Sequence, residues 1–169
     1  DEGWCFYQLG RYIERADQTT RMLDARFIRH YGHTSADTLE SGPWATVLHS
    51  AAGYHAFRRA HPSGMSPAEI VSFLLFNPAF PRSVGLCIAE ADEQLTGLRS
   101  RYRLRGGVDA LERLDEIKGA LFERAAEKMI DSGLHDHLDW IQRQIIGVTS
   151  ALAADFFGAD AGQEQKQSA

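Results

Sequence analysis

Leu9-Gly-Arg-Tyr-Ile-Glu-Arg-Ala-Asp-Gln-Thr-Thr-Arg-Met-Leu-Asp-Ala-Arg26 is the most regular stretch of this 169-residue chain. At about 100° per residue its apolar side chains fall on one side of a helix, the pattern of an amphipathic helix packed on a core. The residues on this side are Leu9, Tyr12, Ile13, Ala16, Thr20, Leu23 and Phe27. The sequence therefore predicts a long core helix that runs from about Glu2 to Tyr31.

The opposite side of this helix combines charges with two aromatic rings. Its members are Trp4, Tyr7, Arg11, Glu14, Arg15, Gln18 and Arg21. One hypothesis is an ordinary solvated face with weak ion pairs between residues three or four apart. A second is a polar network buried against a partner. The third is a catalytic or anionic-ligand site, in which Arg11, Arg15 and Arg21 bind the anion and Glu14 acts as a base.

The remainder of the chain is predicted to form further helices. Pro43 favours a second helix that runs from Ser41 to about Arg59. The spacing of Ser66 and Glu69 predicts a capping box at the start of the third helix. Two prolines make residues 77–82 a loop, because each disfavours helical geometry in the residue before it.

Three more helices are predicted after this loop. They run from Ser83 to about Leu104, from Val108 to about Ile130, and from Gly133 or Leu134 to Phe157. No segment alternates with a two-residue period for long enough to indicate a strand. We therefore expect an all-α fold, an antiparallel helical bundle or array of about six helices. Residues 1–158 would form one domain, and residues 159–169 a disordered tail.

Composition narrows the class of protein. The chain is 44% hydrophobic and 24% charged, which is typical of a globular domain. It lacks the roughly 18 consecutive apolar residues of a membrane span. The net charge of -5 opposes nucleic-acid binding, and the basic run at residues 99–105 is interpreted as a helix C-terminus. Cys5 and Cys87 are expected to be buried free thiols.

Motifs for known chemistry are missing from the sequence. The seven histidines do not form a His-Glu-x-x-His or similar metal-binding pattern. A Gly-rich phosphate loop, a Gly-x-Ser-x-Gly elbow and a Cys-x-x-Cys pair are also missing. We therefore expect no metal and no cofactor, and catalytic residues stay unassigned.

The segment Gly10-Arg-Tyr-Ile-Glu-Arg-Ala-Asp-Gln-Thr19, with residues 1–9 before it, resembles the alpha-E domain family of bacterial all-helical proteins. The family is named for its Glu-Arg pair, here Glu14-Arg15. Trp44, residues 73–84 and the closing segment from Gly133 to Phe157 agree in the same order. The family pattern typically occurs twice. Because one copy is found here and the chain starts at Asp1 without Met, the resemblance implies the downstream half of a longer protein.

The resemblance also implies association rather than catalysis. Alpha-E proteins are encoded beside, or fused to, circularly permuted ATP-grasp ligases, transglutaminase-like peptidases and sometimes proteasome-like hydrolases. The expected function is a cytoplasmic interaction module that serves an ATP-grasp amide ligase in peptide synthesis or protein modification. Expected partners are that ligase, the upstream half, a transglutaminase-like peptidase or a second copy, without nucleic acid or membrane. The rival interpretations are an enzyme or anionic-ligand-binding domain that uses the Glu14/Arg face, and a purely structural self-assembly.

Overall fold

The computed structural model describes residues 1–31, 41–122, 129 and 133–158. These residues contain helices and no strand, which confirms the all-α prediction. The helices are α1 (Glu2–Tyr31), α2 (Ser41–Ser50), α3 (Tyr54–Ala60), α4 (Pro67–Phe76), α5 (Val84–Arg101), α6 (Val108–Phe122) and α7 (Leu134–Phe157). The predicted end of the fifth helix near residue 130 and the predicted tail lie outside the described residues.

Four of these helices form a bundle around the core. α1 packs against α5 and α7, and α6 closes the ring by packing against the same two helices. α1 and α7 are antiparallel, because Asp24 contacts His135 near one end of the pair and Phe6 contacts Phe156 near the other. α2 packs against α1, α4 packs against α5, and α2 and α4 pack against each other. The shorter helices therefore form a second layer beside the bundle.

The buried side of α1 follows the predicted pattern. Leu9, Ile13, Ala16, Thr20 and Leu23 are buried, whereas Tyr12 and Phe27 are partly buried. The Thr20 hydroxyl donates to the backbone oxygen of Asp17 at 2.8 Å, so this polar group keeps a partner inside the core. Each fully buried large apolar side chain stabilises the fold by roughly 1.5–3 kcal/mol.

The second predicted helix is in fact two helices. α2 ends at Ser50, Ala52 takes a left-handed φ of 54°, and α3 begins at Tyr54. A Cβ atom on Gly53 would lie 2.8 Å from the ring of Phe80, so a side chain at this position beside the turn would collide with the ring. Ala52 is exposed, and Tyr54 is partly buried.

The predicted starts of α4 and α5 are confirmed. Ser66 Oγ accepts a hydrogen bond from the Glu69 amide at 3.2 Å, and Glu69 Oε2 accepts one from the Ser66 amide at 2.8 Å. The hydrogen bonds that the Glu69 carboxylate accepts from the Ser66 amide and from the Ser66 hydroxyl lower the pKa of Glu69. Ser83 Oγ likewise accepts from the Leu86 amide at 3.3 Å.

α5 ends three residues earlier than predicted. It stops at Arg101 instead of Leu104, because Arg103 takes a left-handed φ of 55°. Arg99 and Arg101 lie in its last turn, as expected of cations that complement the helix dipole. Within the described residues, no helix is both long and apolar enough to cross a bilayer.

Removing the cap of α4 should destabilise the domain. We expect Ser66→Ala to lower the free energy of unfolding by about 1 kcal/mol, since the Glu69 amide would lose its acceptor. The measurement is the urea midpoint. Ser100→Ala, at an exposed position near the end of α5, is the control. Equal midpoints for the two variants would show that the cap does not stabilise the fold.

The contact between α1 and α7 should make stability depend on pH. His135 Nδ1 lies 2.6 Å from Asp24 Oδ1, and this hydrogen bond, together with the Asp24 charge, raises the pKa of His135. The stabilisation is therefore complete below the unfolded-state pKa of about 6.5 and is lost as the pH rises through the raised value.

We expect the stability difference between wild type and His135→Gln to shrink from about pH 5.5 to about pH 8.5, because the imidazole loses its charge. Urea unfolding at several pH values measures it. His55→Gln, at an exposed position on α3, should show no such trend. A difference that stayed constant with pH would contradict the role of the protonated ring.

Candidate functional site

One long side of α1 is open to solvent. Trp4 is 56% exposed and Tyr7 is 59% exposed, and their rings stack with centroids 5.4 Å apart. Glu14, Gln18 and Arg21 are also exposed, while Arg11 and Arg15 are partly buried. The face predicted from the sequence is thus an accessible surface on the described chain.

Most of the large exposed apolar side chains lie on two helices. Among the described residues these side chains are Trp4, Tyr7, Val108, Ile146 and Phe157, and four of the five belong to α1 and α7. Exposed apolar patches are typical of surfaces that bind another molecule.

A groove of about 540 Å³ runs between α1 and α7. Its lining changes along its length. The apolar part contains Phe6, Leu9, Ile13, Ile145, Ile146, Leu152, Ala153 and Phe157. The charged part contains Glu14, Asp17 and Arg21 of α1. The groove therefore has the mixed character of a binding site, mainly apolar with a few polar groups.

Gly10 leaves the wall of the groove open. A Cβ atom at this position would meet nothing within 4 Å, so neither packing nor a left-handed backbone requires glycine here. Glycine within a helix is less favourable than alanine by about 0.5–1 kcal/mol. The position is consistent with close approach of another molecule to the α1 backbone.

The charged part of the groove holds an incomplete set of hydrogen bonds. Asp17 Oδ2 accepts from Arg21 Nε at 2.7 Å, which raises the pKa of Arg21. The other oxygen of Asp17, Oδ1, is buried and has no partner. Glu14 Oε1 accepts from Gln18 Nε2 at 2.9 Å. Among the described residues, Asp17 Oδ1 thus has no hydrogen-bond donor.

Arginines gather on the side of α1 that faces α5. Arg11, Arg15 and Arg82 lie close enough to Cys87 for their charges to favour its thiolate, yet burial dominates and raises the pKa of Cys87 to about 11. Cys87 and Cys5 are buried free thiols, as predicted. The Cys87 thiol is therefore protonated near neutral pH and is a poor nucleophile.

Gln18 connects the arginines to the groove. Arg82 Nη1 donates to Gln18 Oε1 at 3.5 Å, and Gln18 donates to Glu14. The Thr19 hydroxyl donates to the backbone oxygen of Arg82 at 2.9 Å, which fixes the loop before α5 against α1. Within the described residues, no carboxylate forms an ion pair with Arg11, Arg15 or Arg82.

The structure divides the residues that the sequence grouped together. The anion-site hypothesis groups Arg21 with Arg11 and Arg15, whereas in the structure Arg21 pairs with Asp17 at the groove, at the four-residue spacing of the ion-pair hypothesis. Arg82, from the loop before α5, acts on Cys87 together with Arg11 and Arg15, and the opposing charge of Glu90 acts on it as well. Glu14 lies between both regions, and its recorded hydrogen bond is to Gln18 rather than to an arginine. The interface hypothesis and the ligand-site hypothesis for this face both stay predictions.

The sequence analysis did not identify several residues that line the groove. Ile146 and Phe157 come from α7, and their approach to α1 depends on the tertiary fold. Gly10 carried a usable signal, because an exposed glycine inside a strongly helical stretch is unfavourable without a further reason. The described residues contain no cluster of three or more His, Cys, Asp or Glu side chains suited to a metal ion.

The fold and this motif-bearing helix define the class of protein. The sequence model of the Alpha-E family, described as a predicted alpha-helical domain with a conserved ER motif, matches residues 1–157. The chain belongs to the Alpha-E family. Comparison with curated proteins and with solved structures gave no significant match.

Neutralising Glu14 should leave the isolated domain almost equally stable. Because Glu14 is exposed and contacts Gln18 at the surface, we expect Glu14→Gln to change the free energy of unfolding by less than about 1 kcal/mol. Leu9→Ala, at a buried position of the same helix, should cost about 2–5 kcal/mol in the same urea titration. A loss of several kcal/mol for Glu14→Gln would instead indicate a buried network.

Proposed function

We propose that this domain is a helical interaction module and that its partner docks along the open side of α1. The observation that carries the proposal is the mostly apolar groove between α1 and α7, which exposed Ile146 and Phe157 line, together with the exposed, stacked rings of Trp4 and Tyr7 on α1. Aromatic side chains are frequent anchors of protein interfaces.

The proposed partner is a circularly permuted ATP-grasp amide ligase, and the proposed role is accessory to peptide synthesis or protein modification. The association implied by the Alpha-E family supports this partner, while the surface of α1 supports docking in general. An upstream half with its own motif-bearing helix is a second proposed partner, and a transglutaminase-like peptidase is a third. A cytoplasmic location fits this role and is proposed with it.

The docking proposal predicts that the aromatic pair is needed for the complex. We expect the domain and an ATP-grasp ligase from the same gene neighbourhood, produced together, to elute as one complex in size-exclusion chromatography. Trp4→Ser with Tyr7→Ser should weaken that complex at least about tenfold, since interface aromatics often contribute 2 kcal/mol or more.

Val108→Ser is the matched control, because Val108 is an exposed apolar residue at the start of α6. It should leave the complex unchanged. Separate elution of the wild-type proteins would rule out the ligase as a partner. A complex that survived loss of both aromatic side chains would place the docking surface elsewhere.

A second candidate function is binding of an anionic ligand. Arg11, Arg15 and Arg82 support it, because they gather near Cys87 without an ion-pairing carboxylate among the described residues. Guanidinium groups bind phosphate and carboxylate through two hydrogen bonds.

Titration with inorganic phosphate, followed through the arginine side-chain NMR signals, tests this candidate. We expect saturable shifts of the Arg15 and Arg82 signals, since guanidinium groups donate to phosphate. Arg82→Gln should abolish the shift at Arg15, while Arg143→Gln, at a residue paired with Asp139 on α7, should not. Shifts that rise linearly with phosphate at every arginine would exclude a site.

A further inference from the structure

We propose that the groove between α1 and α7 holds an amphipathic helix of the partner, and that a Lys or Arg side chain of this helix binds Asp17 and Glu14. This inference rests on the proposed function and specifies what enters the docking surface. It concerns the shape and the charge of the occupant.

The shape of the groove suits a helix. Its two walls are antiparallel helices, and the α1 residues that line it run from Phe6 to Arg21. At about 1.5 Å per residue this length is roughly 22 Å, or about four helical turns. An amphipathic helix laid there would bury its apolar face in the manner of other helix-in-groove complexes.

The apolar part would contact the apolar face of such a helix. Phe157 is 69% exposed and Ile146 is 53% exposed, and both line the groove. Gly10 offers no Cβ atom on the α1 wall, and no described residue lies within 4 Å of where that atom would be. The missing side chain allows the backbone of an incoming helix to approach α1 closely, as small residues do at other helix crossings.

The charged part determines which side chain the helix must carry. The ionisable lining residues are Glu14, Asp17 and Arg21, which are two acids and one base. Arg21 donates to Asp17 Oδ2 and so balances one of the two acids. The charge of the other acid stays unbalanced at the groove, where Glu14 is exposed and Asp17 is partly buried. Thr149 adds no donor, because its hydroxyl donates to the backbone oxygen of Ile145 at 3.1 Å. A cationic side chain would donate to these carboxylates and balance the net negative charge.

Synthetic peptides test both parts of the inference. The probes are fluorescent 16-residue helical peptides with leucines on one face and one variable position, Lys, Gln or Glu. Two versions place that position in the first or the last turn, since either direction of the helix is compatible with the groove. Binding to the domain is measured by fluorescence anisotropy.

We expect a Lys peptide to bind at least about tenfold more tightly than its Gln counterpart, with the Glu peptide weakest. Asp17→Asn combined with Glu14→Gln should remove this preference. Glu116→Gln, which neutralises an exposed acid on α6 outside the groove, should preserve it.

A steric variant tests the location. Gly10→Leu would fill the groove and should abolish peptide binding. Gly119→Leu is its control, because Gly119 lies within α6 and a Cβ atom there also meets nothing within 4 Å. Both variants should melt at or above the wild-type temperature, since glycine inside a helix is unfavourable.

Three outcomes would overturn the inference. Equal affinity for the Lys, Gln and Glu peptides would remove the cationic requirement. Peptide binding that persisted in Gly10→Leu, or no binding to the wild type, would remove the helix from the groove. A dimer in sedimentation velocity that Gly10→Leu dissociates would identify a second copy as the occupant. Capture of the ATP-grasp ligase tests the proposed function separately, and these results do not alter it.

Discussion

The structure depends on burial of one apolar side of α1. Leu9, Ala16 and Leu23 repeat every seven residues along this helix and are buried. They lie in the helix that packs against both α5 and α7. Because α1 is shared by both contacts, its rotation about its own axis determines which of its residues face the core and which face solvent. The position of the docking surface follows from this one packing constraint.

The exposed side of α1 joins two chemically different regions. On one flank Asp17 and Arg21 border the apolar groove with α7, and on the other Arg11 and Arg15 lie near α5. Gln18, which donates to Glu14 and accepts from Arg82, connects the two flanks. A partner that covered the whole side would therefore contact the apolar groove, the acids Glu14 and Asp17, and the arginines Arg11, Arg15 and Arg82. Such a combination favours specificity for one partner and one orientation.

Local sequence chemistry was sufficient for much of the fold, because caps and helical periodicity act over a few residues. The limits of α1 and the capping box of Ser66 are predicted correctly for this reason. The break between α2 and α3 could not be predicted, because it involves a left-handed φ at Ala52 and a close approach of Gly53 to the Phe80 ring, which is distant in sequence. The groove could not be predicted for the same reason, because α7, which is distant from α1 in sequence, supplies half of its lining. The candidate residues on α1 were found, but their division between two flanks required the packed structure.

Hydroxyl-radical footprinting of the free domain and of its proposed complex with an ATP-grasp ligase tests the proposed docking along α1 most directly. It reports the solvent exposure of individual side chains, so it shows which surface the partner covers. We expect rapid oxidation of Trp4, Tyr7 and Phe157 in the free domain and strong protection of all three in the complex. Val108, an exposed apolar residue on α6, should be oxidised equally in both. Unchanged oxidation of Trp4 and Tyr7 in a stable complex would contradict docking along α1.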